Sequence, residues 1–240
     1  MKEIKQISKK PKCVAMVMDG NRRWAKEKNL HSFEGHQAGF NKIKEVVDWS
    51  IKEKIPNVIL YTFSIENWKR SKEEVSYLMG IIKLLIKKEF FILKEKGVRV
   101  SFIGDLSLVG EDIKKLIKKT EIETENIKLQ KLHLVFAFSY GGRREILNTV
   151  KEIVKVKNKE EIVNFTEEDF SKFLWTGKIN VPDPDLIIRT GGEMRLSNFL
   201  PWQSTYSELF FLKTYWPDFN YKKFKEILEE FSLRERRLGK

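Results

Sequence analysis

The stretch Cys13-Val14-Ala15-Met16-Val17-Met18-Asp19-Gly20-Asn21-Arg22-Arg23-Trp24-Ala25 decides how this chain folds. Its apolar first half reads as a buried strand, and its second half reads as a turn that opens a helix. A strand end, a glycine and an asparagine that tolerate unusual backbone angles, and a helix N-terminus aim free N–H groups and a positive dipole at one point. Arg22 and Arg23 flank that point, so it reads as a phosphate site. Asp19 is the odd member, because a carboxylate among phosphates repels them unless a hard divalent cation such as Mg²⁺ lies between.

Working outward, further strand patterns fall at residues 58–63, 98–103, 132–138, 186–188 and 208–212, with the first at 14–18. Helical periodicity runs over 38–52, 72–96, 111–128, 143–155, 167–175 and 221–231. This alternation predicts an α/β fold: a central, mostly parallel six-stranded sheet flanked by helices. The unusual residues cluster just beyond the C-terminal ends of the strands, the edge at which open α/β sheets bind ligands. They are 19–24, 64–70, 139–143 and 189–193, four loops that can converge on one cleft.

The 240 residues suit one domain with a large core, with residues 1–12 expected as a flexible N-terminal segment. Forty-six Lys and Arg against 34 Asp and Glu leave a formal charge of +12, which favours acidic partners. The single cysteine, Cys13, excludes an internal disulfide and fits a reducing compartment, so the expected location is cytoplasmic. No apolar run reaches the roughly 18 residues of a membrane span, leaving peripheral contact at the inner face of the membrane as the expected membrane relation. There is no phosphate loop of the Gly-x-x-x-x-Gly-Lys-Ser/Thr type, no Gly-x-Gly-x-x-Gly, and too few histidines and cysteines for a usual zinc site. A nucleic-acid-binding reading rests on charge alone, since the cations sit among glycines and single tryptophans rather than in a stacking motif.

Each loop has a plain and a functional reading. Arg189, Arg195 and Ser197 around Gly191-Gly192 supply two cations, a hydroxyl and flexible backbone, which suits either a second diphosphate or a glycine turn with surface arginines. Asn67 and Trp68 are placed to orient a reacting group, or to serve as a helix cap and a core tryptophan. His36 fits a phosphate contact or a satisfied core histidine. The run 77–86 has a wide apolar face, which fits core packing or the wall of a hydrophobic tunnel between sheet and helices.

Taken together, Met18 to Ala25, Phe63-Ser64-Ile65-Glu66-Asn67-Trp68, Tyr140-Gly141-Gly142-Arg143, Arg189 to Phe199 and Trp216-Pro217-Asp218-Phe219 resemble the cis-prenyltransferases in order and spacing. The resemblance implies a homodimeric enzyme that adds isopentenyl diphosphate repeatedly to an allylic diphosphate, usually farnesyl diphosphate, with Mg²⁺. A long product of undecaprenyl class is implied, with shorter or longer dolichol-type chains as the alternative. Asp19 and Glu208 match metal-associated carboxylates. Gly20, Asn21, Arg22, Arg23 and Trp24 match the allylic diphosphate loop, with Ser32 and His36 beside it. Arg189, Arg195, Leu196 and Ser197 match the isopentenyl diphosphate grip. Ser64, Ile65, Glu66, Trp68 and Arg70 match further substrate contacts, and Asn67 matches the residue assigned to proton removal, although a neutral amide is a poor base.

The resemblance also places Leu132 near the tunnel floor, and the tail 234–239 where it can help bind diphosphate across the dimer. Trp24, Phe63 and Trp68 are expected to line the dry pocket. Three departures stand out. Arg22 replaces a glycine common in bacterial members. Ser32 replaces a frequent arginine, a loss that Arg22 or Lys28 can offset, and Ser71 replaces a proline, loosening the loop that admits substrate. Noncatalytic partner subunits in the family lack the aspartate and arginine motifs, whereas this chain carries Asp19, Asn67 and Arg189.

Overall fold

Five successive apolar residues can be buried on both sides only in the middle of a sheet, and β1 (Cys13–Val17) is buried along its whole length. The structure, a computed structural model, describes residues 10–234. Residues 1–9 of the expected N-terminal segment and residues 235–239 of the basic tail lie outside the described residues. After β1 come α1 (Asn21–Glu27), α2 (Ser32–Lys52), β2 (Asn57–Ser64), α3 (Lys72–Glu95), β3 (Val98–Ile103), α4 (Glu111–Glu125) and β4 (Leu132–Tyr140). The remainder is α5 (Gly142–Val156), α6 (Lys159–Val163), α7 (Glu167–Phe173), α8 (Trp175–Lys178), β5 (Leu186–Arg189), β6 (Glu208–Phe211) and α9 (Tyr221–Leu233).

The strands stand in the order β3-β4-β2-β1-β5-β6 and every pairing is parallel. From β1 the chain winds toward β2, while β5 docks on the other side of β1. The winding therefore reverses at the β1/β5 boundary, and a crevice opens beyond the strand ends there. In register Val17 faces Arg189, so Asp19 and Arg189 emerge side by side at that crevice.

Alternate side chains feed two cores. Val14, Met16, Leu60 and Phe136 pack with Phe40 and Ile43 of α2, Ile86 of α3, Ile113 of α4 and Phe224 of α9. Ala15, Val17, Ile59 and Val135 face the opposite layer, which contributes Val181, Phe199 and Leu200.

The sequence placed six strands and the main helices, but three local features differ. Helix α2 begins at Ser32 rather than 38, with the Glu34 carboxylate accepting the His31 N–H at 2.9 Å as a helix-start bond. Gly35 and Gly39 hid this first turn from a hydrophobic count, and they permit contact instead: a Cβ at Gly35 would stand 2.1 Å from the Asn21 carbonyl oxygen. Residues 167–175 form two helices, because Leu174 is extended and breaks the run. Helix α6 has no buried residue, so it offers no apolar stripe to read.

On β4, buried His133 bonds Ser101 of β3, Nε2 to Oγ at 2.8 Å. Burial, assisted by nearby Arg99, lowers its pKa to about 4. The unfolded chain takes up this proton at an ordinary histidine value, so the contribution is complete above about pH 6.5 and is lost as pH falls toward 4. Buried Glu145, whose pKa is raised by desolvation, slopes the other way. The difference between the wild type and His133→Gln therefore isolates the histidine: denaturant unfolding is expected to show the wild type losing up to about 3 kcal/mol relative to the variant between pH 6.5 and 4. A pH-independent difference would show that His133 does not titrate in this way.

Candidate active site

Asp19 is fixed by its backbone before its side chain does anything. Its N–H donates to Thr190 Oγ1 at 3.0 Å, and its carbonyl accepts from Thr190 Oγ1 at 2.7 Å and from the Trp216 N–H at 3.0 Å. Gly20 then turns the chain at φ +105°, and a Cβ there would meet Tyr215 Cδ1 at 2.6 Å, so a residue with a side chain is excluded twice. The Asp19 carboxylate reaches Arg189 Nη2 at 2.9 Å and Arg23 Nη2 at 3.1 Å. Arg189 is only 4% exposed, so its charge is neutralised inside the protein and it is not a free surface cation. Its Nη1 also donates to the Arg195 carbonyl at 2.5 Å and to Ser197 Oγ at 2.8 Å, folding the 189–199 loop around itself.

Arg23 is shared between Asp19 and Glu193, at 3.6 Å from the latter, and lies over the Tyr215 ring. Glu193 also pairs with the exposed Arg195 side chain. Trp24 Nε1 donates to Asp218 at 2.8 Å, so the Trp216–Asp218 turn clamps the loop from outside.

Beside this hub lies a cleft of about 760 Å³ whose lining includes Asp19, Arg22, Arg23, Lys26, His36 and Arg70. Five of these six are cationic or able to be protonated, and Asp19 is the sole carboxylate along it. A smaller apolar cavity of about 80 Å³ adjoins it, walled by Phe40, Leu78, Ile81, Phe102, Phe136 and Phe138. Met18, Asn21 and His36 line both spaces. Buried polar atoms without a partner are uncommon. Among the described residues they are Asn21 Oδ1, His36 Nε2, Arg189 Nε and Gln203 Oε1, three of them at this site.

A family model described as "Putative undecaprenyl diphosphate synthase" matches residues 17–239. The chain belongs to this prenyltransferase family. The isoprenyl transferase of Thermotoga maritima is 45% identical over 229 residues, 95% of this chain and 97% of the relative. The tritrans,polycis-undecaprenyl-diphosphate synthase (geranylgeranyl-diphosphate specific) of Thermoplasma volcanium is 40% identical over 245 residues, covering 100% of this chain and 93% of the relative. Among solved structures, lavandulyl diphosphate synthase from Lavandula x intermedia, in complex with dimethylallyl diphosphate, superposes with a TM-score of 0.90 at 30% identity, covering 96% of this chain and 99% of that one.

The expected site residues are distributed unevenly about this cleft. Gly20, Asn21, Arg22, Arg23, Ser32, His36 and Arg70 line it together with Asp19. Lys26 lines it as well, whereas Lys28 lies over the Trp24 ring, so Lys26 is the cation near Ser32 that the sequence reading missed. Asn67 Oδ1 accepts the Ser64 N–H at 3.0 Å and caps the short turn Ile65–Lys69, and Trp68 Nε1 donates to Ser139 Oγ while its ring packs edge-on against Phe63. Both plain readings are thus realised, and the dry cavity is walled by other aromatics than Trp24, Phe63 and Trp68. Glu66 Oε1 accepts from Asn198 Nδ2 at 2.8 Å and ties this turn to the 189–199 loop, where Leu196 packs against the second core. Ile65 abuts Gly141.

Ser71 caps α3, its Oγ accepting the Glu74 N–H at 3.2 Å. Glu208 stands in register with Leu186, at the opposite end of β5 from Arg189, and its carboxylate accepts from Arg234 at 2.6 Å. It does not join Asp19 within one chain, because β6 runs parallel to β5. No group of three or more metal-ligating side chains occurs among the described residues. Leu132 is fully buried in the first core and does not reach the apolar cavity.

The two arginines of the 189–199 loop are therefore expected to separate in denaturation experiments. Arg189→Ala removes one of the two arginine partners of Asp19 and takes the donor from the Arg195 carbonyl and the Ser197 hydroxyl, and should cost on the order of 3 kcal/mol. Arg195→Ala removes an exposed pair and should stay within about 0.5 kcal/mol of wild type. Equal losses would show that Arg189 is not the structural hub.

Proposed function

We propose that this prenyltransferase condenses isopentenyl diphosphate repeatedly onto an allylic diphosphate, with farnesyl diphosphate as starter and a product of undecaprenyl class. One observation carries the reading: a cation-lined cleft and an apolar cavity share Met18, Asn21 and His36, so one ligand with a charged head and a hydrocarbon tail fits both at once. The Thermoplasma relative named for geranylgeranyl diphosphate and the Lavandula structure with dimethylallyl diphosphate support an allylic starter.

In the proposed reaction the C1–O bond of the allylic substrate breaks, the terminal alkene carbon of isopentenyl diphosphate bonds to C1, and a proton leaves C2 to restore an allylic double bond. Negative charge grows on the departing diphosphate. Arg22, Arg23, Arg70 and the free N–H groups at the start of α1 stabilise that charge more than the ground state. The aromatic cavity wall keeps water from the allylic cation. Asn67 orients rather than accepts the proton, since its oxygen is already engaged by Ser64, and the leaving diphosphate is the stronger base.

Mg²⁺ fits this donor set in its usual manner, one carboxylate plus substrate phosphate oxygens rather than an all-protein cage. Asp19 is the residue to hold it, once phosphate oxygens draw Arg23 away. When bound, the ion would add positive charge at the leaving group. A metal role for Glu208 requires the second subunit of the proposed homodimer. The exposed Leu147, Val150 and Val154, spaced along one face of α5, support such an apolar contact. Peripheral membrane contact for product delivery completes the proposal, and no helix among the described residues is long and apolar enough to cross a membrane.

Incubating the protein with radiolabelled isopentenyl diphosphate, several allylic starters and Mg²⁺, then sizing the lipids, tests the reading. Long cis-polyprenyl products are expected from the wild type, and Asp19→Asn, which keeps the shape of the side chain beside Arg189, should reduce turnover by at least about a hundredfold with the fold intact. Failure of the wild type to extend any starter would overturn the function, and near-normal turnover of the variant would remove Asp19 from it.

A shorter product is the second reading, favoured by the end wall of the cavity. Phe102 and Phe136 stack with centroids 5.2 Å apart, and about 80 Å³ is far below the roughly 300–1,000 Å³ of ordinary ligand pockets. A chain growing in this cavity meets the pair, whereas Leu132 is not part of its lining, and pushing into a dense interior costs about 1–3 kcal/mol. Phe136→Ala is therefore expected to lengthen the product more than Leu132→Ala does. Chromatography of the dephosphorylated lipids decides it, and an unchanged profile for Phe136→Ala would remove the aromatic pair from chain-length control.

A further inference from the structure

The side of the α3–α4 layer that faces away from the sheet leaves large apolar residues exposed. Ile86 and Leu93 of α3 and Ile113 and Ile117 of α4 are buried in the first core, so the opposite faces of both helices point to solvent on the same side. On or beside those faces Phe91 is 64% exposed, Ile92 45% and Ile122 60%. The turn between α4 and β4 adds Leu129, 79% exposed, and this turn is held against the end of α3: the Lys131 N–H donates to the Gly97 carbonyl at 2.8 Å. A Cβ at Gly97, whose φ is +78°, would stand 2.6 Å from the Leu129 carbonyl oxygen, so glycine is what lets the turn and the helix end close on each other.

These residues are set among lysines. Lys115, Lys118, Lys119 and Ile122 line one shallow depression of about 330 Å³ together with Glu123, which stands 3.7 Å from Lys119. Lys128 and Lys131 are exposed on either side of Leu129, and Lys87 and Lys94 are exposed on α3, with Glu95 and Glu125 as the exposed acids among them. Residues 114–131 carry six lysines against three glutamates. One of the three, Glu121, is half-buried and accepts the Phe102 N–H at 2.8 Å, which leaves positive charge in excess at the surface.

Position in the fold gives this end its direction. A helix that links two parallel strands runs back against them, so the C-terminal ends of α3 and α4 and the 126–131 turn lie beyond the strand starts, opposite the cation cleft. The apolar cavity, walled by Ile81 and Ile82 of α3 with Phe102 and Phe136, lies between the two ends. A hydrocarbon tail seated there with its head in the cleft points toward the lysine-rimmed apolar end. The exposed face of α5 belongs to the other layer, where Glu145 accepts from Tyr140 and from the Trp175 N–H, so a second copy docked on α5 leaves this end free.

We propose that the outer end of α3 and α4, with the 126–131 turn, is the surface by which this protein sits on a bilayer containing anionic lipid. This rests on delivery of product to a membrane under the proposed function. The lysine ammonium groups meet lipid phosphates while Phe91, Ile92, Ile122 and Leu129 enter the headgroup boundary, the two-part attachment of an interfacial surface. A face built only for solubility has no need of large apolar residues among its charges, and a protein-binding patch is poor in lysine.

Sedimentation of the full chain with vesicles tests the assignment. The wild type is expected to partition onto vesicles of phosphatidylglycerol and phosphatidylcholine in equal parts more strongly than onto phosphatidylcholine alone, with the difference shrinking as salt is raised. Phe91→Ser with Leu129→Ser should weaken partitioning on both vesicle types by at least about tenfold. Lys115→Gln with Lys119→Gln should weaken it about tenfold on the anionic vesicles only. These side chains are exposed, so elongation of a soluble starter in detergent should stay at the wild-type rate in both double variants. Leu108→Ser, another exposed leucine but beyond the far end of β3, should bind vesicles as the wild type does. Binding unchanged in either double variant, or an equal loss with Leu108→Ser, overturns this surface while leaving membrane contact and the proposed reaction intact. Absence of wild-type binding to both vesicle types overturns membrane contact and the surface with it, and elongation by the same preparation reports separately on the reaction.

Discussion

The ion pair between Asp19 and Arg189 is the contact on which the site is built. It forms at the boundary between β1 and β5, where the winding of the sheet reverses, and parallel pairing in register makes the two loops neighbours. Arg189 is buried and would be costly without its partner. Through its remaining donors it also sets the carbonyl of Arg195 and the hydroxyl of Ser197, so the loop after β5 takes its shape from the residue after β1. Thr190 closes the arrangement on the backbone of Asp19. A charge pair that would contribute little on the surface here specifies where two loops meet.

That specification has a chemical consequence. With both carboxylate oxygens of Asp19 already bonded to arginines, the residue is not a ready-made cation site; its partners are groups of the type that grips phosphate. Anionic substrate entering the cleft competes for Arg23, which is 42% exposed and shared with Glu193, far more readily than for Arg189. The two arginines thus divide the work: one fixes geometry and the other is available. Sequence alone treats them as equivalent, because burial, not residue type, distinguishes them.

Much of the fold was legible because it depends on period and position. Strands buried on both faces are continuous apolar runs, and the motif loops fall at strand ends, so the α/β sheet and the place of the cleft follow from the pattern. Gly20, Asn21, Arg22 and Arg23 follow one another at a strand end, so their place along the cleft was legible from position alone. The site was not legible where function depends on contacts distant in sequence. Lys26 and Lys28 are two residues apart, and only the helical turn decides that the first reaches the cleft and the second covers Trp24. Glu208 sits in a recognisable motif, yet parallel pairing sends it to the far end of the sheet. Glu74 belongs to no quoted motif, and only the fold brings Arg22, His36 and Arg70 to it from three segments.

The close approach of α1 and α2 explains how a charged cleft and an apolar cavity come to share walls. Glycine at position 35 lets the Asn21 backbone lie against α2, which leaves Asn21 and His36 at the joint between the two spaces. Each has a buried polar atom without a hydrogen-bond partner there, Asn21 Oδ1 and His36 Nε2, the latter 3.6 Å from a Glu74 carboxylate oxygen. An apolar residue at either position would avoid that penalty but would extend the cavity surface into the cleft. Polar groups at the joint instead mark a sharp border between the charged and the apolar space, and under the proposed function they are the groups that would fix the register of a ligand lying across both.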